Sequence, residues 1–237
     1  KNLCLAGGVA LNCVMTTKLY DWFDFENIYV TPTPHDGGLC IGAAQFLWHH
    51  ELDNPRIKWE DDFTPYLGQL YSKDIVLDTL KKYDSKIVVN GATDDDVLQL
   101  LDEQNIISVF GGGSESGRRA LGNRSILADP RSPKMKDMIN KKVKHRQWFR
   151  PFAPSILREE VKNWFQKDIE SPYMNFAVPF KPEMKEKVPA VSHLDGTGRI
   201  QTVTEHNNKW YYNFIKKWFN ISGVPIVLNT SFNDREP

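Results

Sequence analysis

The sequence predicts an α/β protein, and two observations carry that prediction. Strand, glycine turn and helix follow one another twice within the first fifty residues. After a polar, proline-bearing stretch at 51–72, strands and helices then alternate again. With 237 residues, 41% of them hydrophobic, the chain can bury one large core or two modest ones.

The elements follow in order. Residues 2–6 read as a short buried strand, and Gly7-Gly8 leads into a helical pattern with Val9, Leu11, Val14 and Leu19 on one side. NIYVTP (27–32) is a second strand, ended by Pro32 and Pro34. LCIGAAQFLWHH (39–50) then forms a helix that is apolar nearly all round. The stretch 51–72 shows no sustained period and is assigned as a connection, giving parts at 1–52 and 73–237 with a linker at 53–72. Beyond it Ser72 opens a helix to about Lys82, and KIVVN (86–90) is a strand. Thr93 caps a helix whose first turn holds Asp94, Asp95 and Asp96, the sign its dipole favours. NIISVF (105–110) is a strand that runs directly into Gly111-Gly112-Gly113. Ser132 and Pro133 fit the cap and first turn of a helix with Met135, Met138, Ile139 and Val143 on one face and Lys134, Lys141 and Lys144 on the other. Strands are expected at 150–157, 174–180, 198–203 and 224–229, with a helix from about Asn208 to Ile221.

Charge is balanced overall, with 30 basic and 30 acidic residues, but it is unevenly distributed. From Gly117 to Arg150 eleven Lys/Arg face only Asp129 and Asp137, so this stretch attracts anions within an otherwise acidic chain. The three cysteines (Cys4, Cys13, Cys40) are odd in number and contain no C-x-x-C pair, which favours reduced, mostly buried thiols and a cytoplasmic setting. No apolar run approaches the ~20 residues of a membrane span, so no membrane partner is expected. Gly7-Gly8 and Asn12 interrupt the apolar opening, which argues against a signal peptide. The chain begins inside a strand without Met, and it is read as a fragment of a longer protein.

Four stretches carry chemistry. The Gly111–Gly113 loop leaves a strand where backbone amides can face an anion, and Arg118, Arg119 and Arg124 follow it, with guanidinium forks suited to phosphate and carboxylate oxygens. A solvated basic face accounts for composition equally well. No Walker loop or dinucleotide fingerprint is present. KKVKHRQWFRPFAPS (141–155) interleaves basic residues with Trp148, Phe149 and Phe152; it suits single-stranded nucleic acid or the edge of a nucleotide pocket, although burial statistics place such aromatics in a core. HLDGTGRIQTV (193–203) sets Arg199 after a turn, and VLNTSFNDREP (227–237) sets Asn229, Thr230, Ser231 and Asn233 at the end of an apolar strand, where α/β proteins place ligand contacts. Asp36, between a strand and a helix, suits a hard metal ion, but a helix cap is the favoured reading of the residues alone.

Five segments, NLCLAGGVALNCV, TPHDGGLCIGAA, GRRALGNRSILADPRSPKMKDMINKKVKHRQWFRPFAPSIL, HLDGTGRIQTV and PIVLNTSFNDREP, resemble in order and spacing the carbamoyltransferases of the nodulation and antibiotic-tailoring type. The resemblance implies the end of an actin/sugar-kinase-like (ASKHA) domain, similar to the universal tRNA threonylcarbamoyl transferase subunit. A YrdC-like α/β domain with a twisted mixed sheet would follow it. It further implies that ATP and carbamoyl phosphate form carbamoyl-adenylate, whose carbamoyl group passes to the hydroxyl of a small-molecule acceptor. Arg119, Arg124, Lys144, Arg146 and Arg150 would then contact phosphate and carbamoyl groups, and Arg199, Asn229 and Ser231 the adenylate. Gly7, Gly8 and Asn12 match a nucleotide-binding turn, and Asp36 matches a ligand of a divalent metal, Fe or Mg, whose paired histidines are missing here. Arg118 stands where the family has proline. A homodimer is compatible with the resemblance. Two alternatives stay open: a nucleotide-binding module without catalysis, and an RNA-binding domain. The order of the basic residues, broken by glycine and apolar positions, disfavours a nucleic-acid partner.

Overall fold

A computed structural model describes residues 1–56, 64–83, 86 and 91–234. The expected strand over 86–90 falls largely outside the described residues. Two sheets are present. The smaller pairs β1 (Asn2–Leu5) in parallel with β2 (Asn27–Val30). A tight turn over Gly8–Leu11 and helix α1 (Cys13–Trp22) join the two strands. Asn12 caps α1, its side-chain oxygen accepting from the backbone N–H of Val14 and Met15. Helix α2 (Leu39–Phe46) continues as a wider turn over Leu47–Glu51 and buries none of its residues among the described parts.

Helices α3 (Lys73–Lys81) and α4 (Asp94–Asp102) start where their caps predict, Ser72 accepting from Ile75 N and Thr93 forming a reciprocal capping box with Asp96. The larger sheet contains β3 (Ile107–Phe110), β4 (Arg124–Ala128), β5 (Ala153–Leu157), β6 (Phe176–Pro179), β7 (Thr197–Val203) and β8 (Ile226–Ser231). Their order across the sheet is β3-β4-β8-β5-β7-β6, antiparallel except for the β5–β7 pair. Helix α5 (Pro133–Lys142) follows β4, the short helices α6 (Val161–Trp164) and α7 (Pro182–Lys185) flank β6, and α8 (Lys209–Ser222) precedes β8.

Each face of this sheet buries a core. On one face Leu127, Leu157, Val203 and Val227 meet Leu98 and Leu101 of α4 and Tyr211, Phe214, Ile215 and Trp218 of α8. On the other, Ile156, Ile200, Phe176, Ile226 and Leu228 meet Met135 and Ile139 of α5, and Ile28 and Val30 of the small sheet join the same core with Ala10 of the Gly8–Leu11 turn. Helix α1 lies on β6. Ala177 N donates to Thr17 Oγ1 at 2.8 Å, Asn175 Nδ2 donates to the Val30 carbonyl at 2.9 Å, and the Thr16 hydroxyl donates to the Asn175 carbonyl.

Three expectations need correction. The cysteines are not mostly buried: Cys4 and Cys40 are exposed and Cys13 is half-buried. Lys144 does not sit on the exposed face of α5 with Lys134 and Lys141; it lies in the turn beyond the helix and is 3% exposed. Of the three aromatics in 148–152 only Phe152 is core. Trp148 and Phe149 are 66% and 51% exposed and meet each other edge to face. A strand missing from the expectations is β4, inside the stretch 117–150 that was singled out for its charge alone.

Candidate functional site

The register brings one end of the large sheet together. Phe110 at the end of β3 pairs with Arg124 at the start of β4, Ser125 pairs with Ser231 at the end of β8, and Asn229 pairs with Ala153 at the start of β5. Ser155 pairs with Gln201, so the start of β7, with Arg199, lies at the same end. Residues scattered over more than a hundred positions therefore border one rim.

Over this rim runs the segment 111–123, held by its own side chains. The Glu115 carboxylate accepts from the backbone N–H of Leu121 (2.7 Å), Asn123 (3.0 Å) and Arg124 (3.3 Å). This is an anion-binding nest filled by a residue of the chain. The Arg124 guanidinium donates to the Gly111 carbonyl at 2.6 Å and the Gly112 carbonyl at 3.3 Å, and it lies 3.7 Å over the Phe110 ring. The Gly111 amide, expected to face an anion, donates to the Asn123 carbonyl at 3.1 Å. Beneath the loop, Asn229 Nδ2 reaches the Ala120 carbonyl and Gln201 Nε2 the Leu121 carbonyl, while the Tyr66 hydroxyl donates to the Leu121 carbonyl from outside. Gly122, at φ +115°, lies against the Tyr211 ring, which a Cβ would meet at 2.5 Å.

Three guanidiniums share the space behind this loop. Burial pulls the Arg199 pKa down to about 10, and the nearby Arg119 and Arg146 add to the fall. Burial likewise lowers Arg119, which donates to the Leu11 carbonyl at 3.2 Å. Both Arg119 and Arg199 keep a buried Nε–H with no hydrogen-bond partner among the described residues. Cys13, at the start of α1, is the nearest titratable neighbour of both on that side. Arg146 is anchored by Asn140 Oδ1 at 2.7 Å and lies 4.8 Å over Phe152, and Asn140 also donates to the Arg150 carbonyl at 3.0 Å. Lys144 donates to the Ser231 carbonyl (2.5 Å), the Asn233 carbonyl (2.7 Å) and Asn233 Oδ1 (2.9 Å), tying the turn after α5 to the end of β8.

The geometry thus gathers Arg119, Arg124, Lys144, Arg146, Arg150, Arg199, Asn229 and Ser231 around one sheet end. The Leu11 carbonyl brings the Gly7–Asn12 turn against it. Asp36 is elsewhere: it begins a short turn over Asp36–Gly38, exposed, and the cap there is the His35 ring, which accepts from Gly37 N at 3.0 Å. Among the described residues no three His, Cys, Asp or Glu side chains converge. Two residues of the site escaped the sequence reading. Glu115 lies in the GGGSESG turn just before the basic stretch and was given no role, although an acidic residue within a glycine-rich turn is a signal for nest filling. His193 is visible only by its neighbours. Its Nδ1 is 3.1 Å from Thr197 Oγ1, and burial together with Arg199 lowers its pKa to about 4.

No helix among the described residues is long and apolar enough to cross a membrane. Residues 98–237 match the carbamoyltransferase C-terminus family, and residues 1–45 match the carbamoyltransferase N-terminus family. The chain is 40% identical to the nodulation protein NolNO of Sinorhizobium fredii, over 99% of the chain and 35% of that protein. It is 39% identical to the nodulation protein NolO of Bradyrhizobium diazoefficiens, over 98% of the chain and 43% of that protein. An uncharacterized protein of Methanocaldococcus jannaschii is 42% identical over 98% of the chain and 39% of its own length. The chain therefore spans about two fifths of the length of these relatives. The first of these matches covers more than half of the chain, and the chain belongs to the carbamoyltransferase family.

Proposed function

We propose that the rim forms carbamoyl-adenylate from ATP and carbamoyl phosphate, as the adenylating part of an O-carbamoyltransferase. The observation that carries this reading is the cluster of Arg119, Arg146 and Arg199, with two buried N–H donors that have no acceptor among the described residues. Guanidiniums packed closely enough to depress one another call for an anion between them. ATP and carbamoyl phosphate supply two polyanions, and each would otherwise repel the other. In balanced form, water cleaves carbamoyl phosphate to carbamate and phosphate. A carbamate oxygen then attacks the α-phosphorus of ATP, and pyrophosphate leaves. Arg119 and Arg199 would bind the phosphate oxygens and stabilise charge as it develops, and Arg146 would hold the carbamoyl oxygen. Arg124 and Glu115 would act by shaping the loop rather than by contacting substrate. In this reading 73–237 is the YrdC-like part and 1–52 the end of an ASKHA domain, where the carbamoyl group would move to an acceptor hydroxyl. A divalent metal would there belong to parts of the protein beyond the described residues.

The test is pyrophosphate release by the full-length protein with each substrate alone and with both. Release should require both and should fall at least a hundredfold, on the order expected for one lost transition-state donor, in Arg199→Met. Release from ATP alone, or unchanged release in the variant, would contradict the reading.

A further inference from the structure

Away from the rim, a cavity of about 450 Å³ opens along the seam between the two regions matched to the family. The first region contributes Tyr20 of α1 and residues 26–30; the second contributes Arg158 and most of 168–176. This position is separate from the arginine cluster. Arg158 follows the last residue of β5, whereas the rim lies at its first, and Ser171 is bonded to the far half of β7 through the Ile200 carbonyl and Thr202 Oγ1, both at 2.9 Å. The volume falls in the range of small-molecule sites, roughly 300–1,000 Å³, and such sites favour the junctions between domains.

Aromatic rings and carboxylates make its walls. Tyr20 and Phe176 stand 5.3 Å apart, centroid to centroid, tilted at 55°, and Tyr29 also lines the space. The Tyr20 hydroxyl accepts from Ile28 N at 3.3 Å, and its own proton has no acceptor among the described residues. The cations of this neighbourhood are already used: Arg158 donates to Asp168 at 2.5 Å, and Lys167 donates to Asp21, next to Tyr20. Two acids remain. Glu26 pairs with the terminal amine of Lys1 at 3.3 Å, both groups being largely exposed, and Glu170 has no partner among the described residues. These acids are spread around the cavity, and among the described residues no three His, Cys, Asp or Glu side chains converge as the ligands of a metal ion would. Tilted ring faces with an excess of dispersed carboxylates instead attract a cation whose charge is spread over an apolar surface. We propose that this cavity binds an organic ammonium ion, its alkylated nitrogen against Tyr20 and Tyr29 and its charge balanced by Glu170 and Glu26. The site is independent of the nucleotide reading, and its occupant bridges the two regions of the chain.

Calorimetry of the full-length protein with choline and with 3,3-dimethylbutan-1-ol, which has the same shape without the charge, separates the cation from its apolar surface. Choline should bind about tenfold more tightly than the alcohol. Glu170→Gln should weaken choline about fivefold, the upper end for one exposed charge. Tyr29→Leu, at a ring that is 48% exposed, should weaken it about tenfold without disturbing the core. Tyr20→Phe, which keeps the ring, should bind choline as the parent does, and Tyr20→Leu should lose about tenfold. Glu186→Gln removes an exposed acid that does not line the cavity and should change nothing. Equal binding of choline and the alcohol would overturn the cationic assignment. No binding of choline to the parent protein would overturn the site itself. Choline affinity that Glu170→Gln and Tyr29→Leu both leave unchanged would place the cation elsewhere and overturn the assignment to this cavity, as would a loss in Glu186→Gln equal to that in Glu170→Gln. Each of these failures leaves the test of pyrophosphate release untouched.

Discussion

His193 shows how one residue couples the rim to solution conditions. Its imidazole packs in the turn before β7 with Arg199, Lys136, Asp195 and the Phe152 backbone around it, and burial, with Arg199 second, lowers its pKa to about 4. In the unfolded chain it protonates near 6.5, whereas in the fold it resists the proton until about pH 4. Between those values the unfolded state binds more protons, so stability falls as pH drops through 6.5 and the loss is complete near pH 4. His193→Gln removes this difference. Urea unfolding should show the variant losing about 2 kcal/mol less than the parent between pH 7 and pH 5. An identical pH dependence in both would place the acid sensitivity in other groups. Nothing in the sequence around His193 announces this. The motif HLDGTGR reads as a turn, and the low pKa arises from Arg199 and from burial that only the folded sheet supplies. Lys144 is a similar case: helical periodicity places it with Lys134 and Lys141, but α5 ends at Lys142 and the chain turns it inward onto β8.

At the scale of elements the segment 111–123 is the device on which the rim depends. Glu115 gathers three backbone N–H groups with one carboxylate oxygen, and Arg124 gathers two glycine carbonyls, so the loop is fixed by opposite charges acting on its own backbone. Removing the acceptor leaves three amides to find water. Glu115→Ala should lower the unfolding free energy by about 2 kcal/mol, and Glu115→Gln, which keeps the oxygen, by about half as much. Equal effects from both variants would show that the amide contacts contribute nothing. The helices were legible from local chemistry: Ser72 and Thr93 announce caps that the fold uses as expected, whereas Ser132 stands at the cap position of α5 without a side-chain hydrogen bond and Asn208 caps α8 unannounced. Strand β4 was not. It is five residues long, opens on Arg124 and closes at Asp129-Pro130, so its short apolar run has no alternation to distinguish it from a turn. Its identity comes from pairing with β3 on one side and β8 on the other, which is non-local information.

For the whole molecule, order along the chain and order across the sheet diverge. Local patterns located β5 to β8 within a few residues, but the arrangement β3-β4-β8-β5-β7-β6 inserts β8 between β4 and β5, and nothing local encodes that. This crossing brings Asn229 and Ser231 beside Arg124 and Arg199 and makes the rim. Helix α1 and the small parallel sheet join through buried Thr16, Thr17 and Asn175, so the turn carrying Leu11 meets Arg119 from the other side. The candidate site was legible as a set of residue types; its geometry was not, and the fold assigns some of those residues to scaffolding. The direct measurement is mass spectrometry of the full-length protein quenched during turnover with ATP and carbon-13-labelled carbamoyl phosphate. Labelled carbamoyl-adenylate should form with the parent protein and be absent with Arg199→Met. Turnover of both substrates with no labelled adenylate under conditions that preserve an authentic standard would contradict the account.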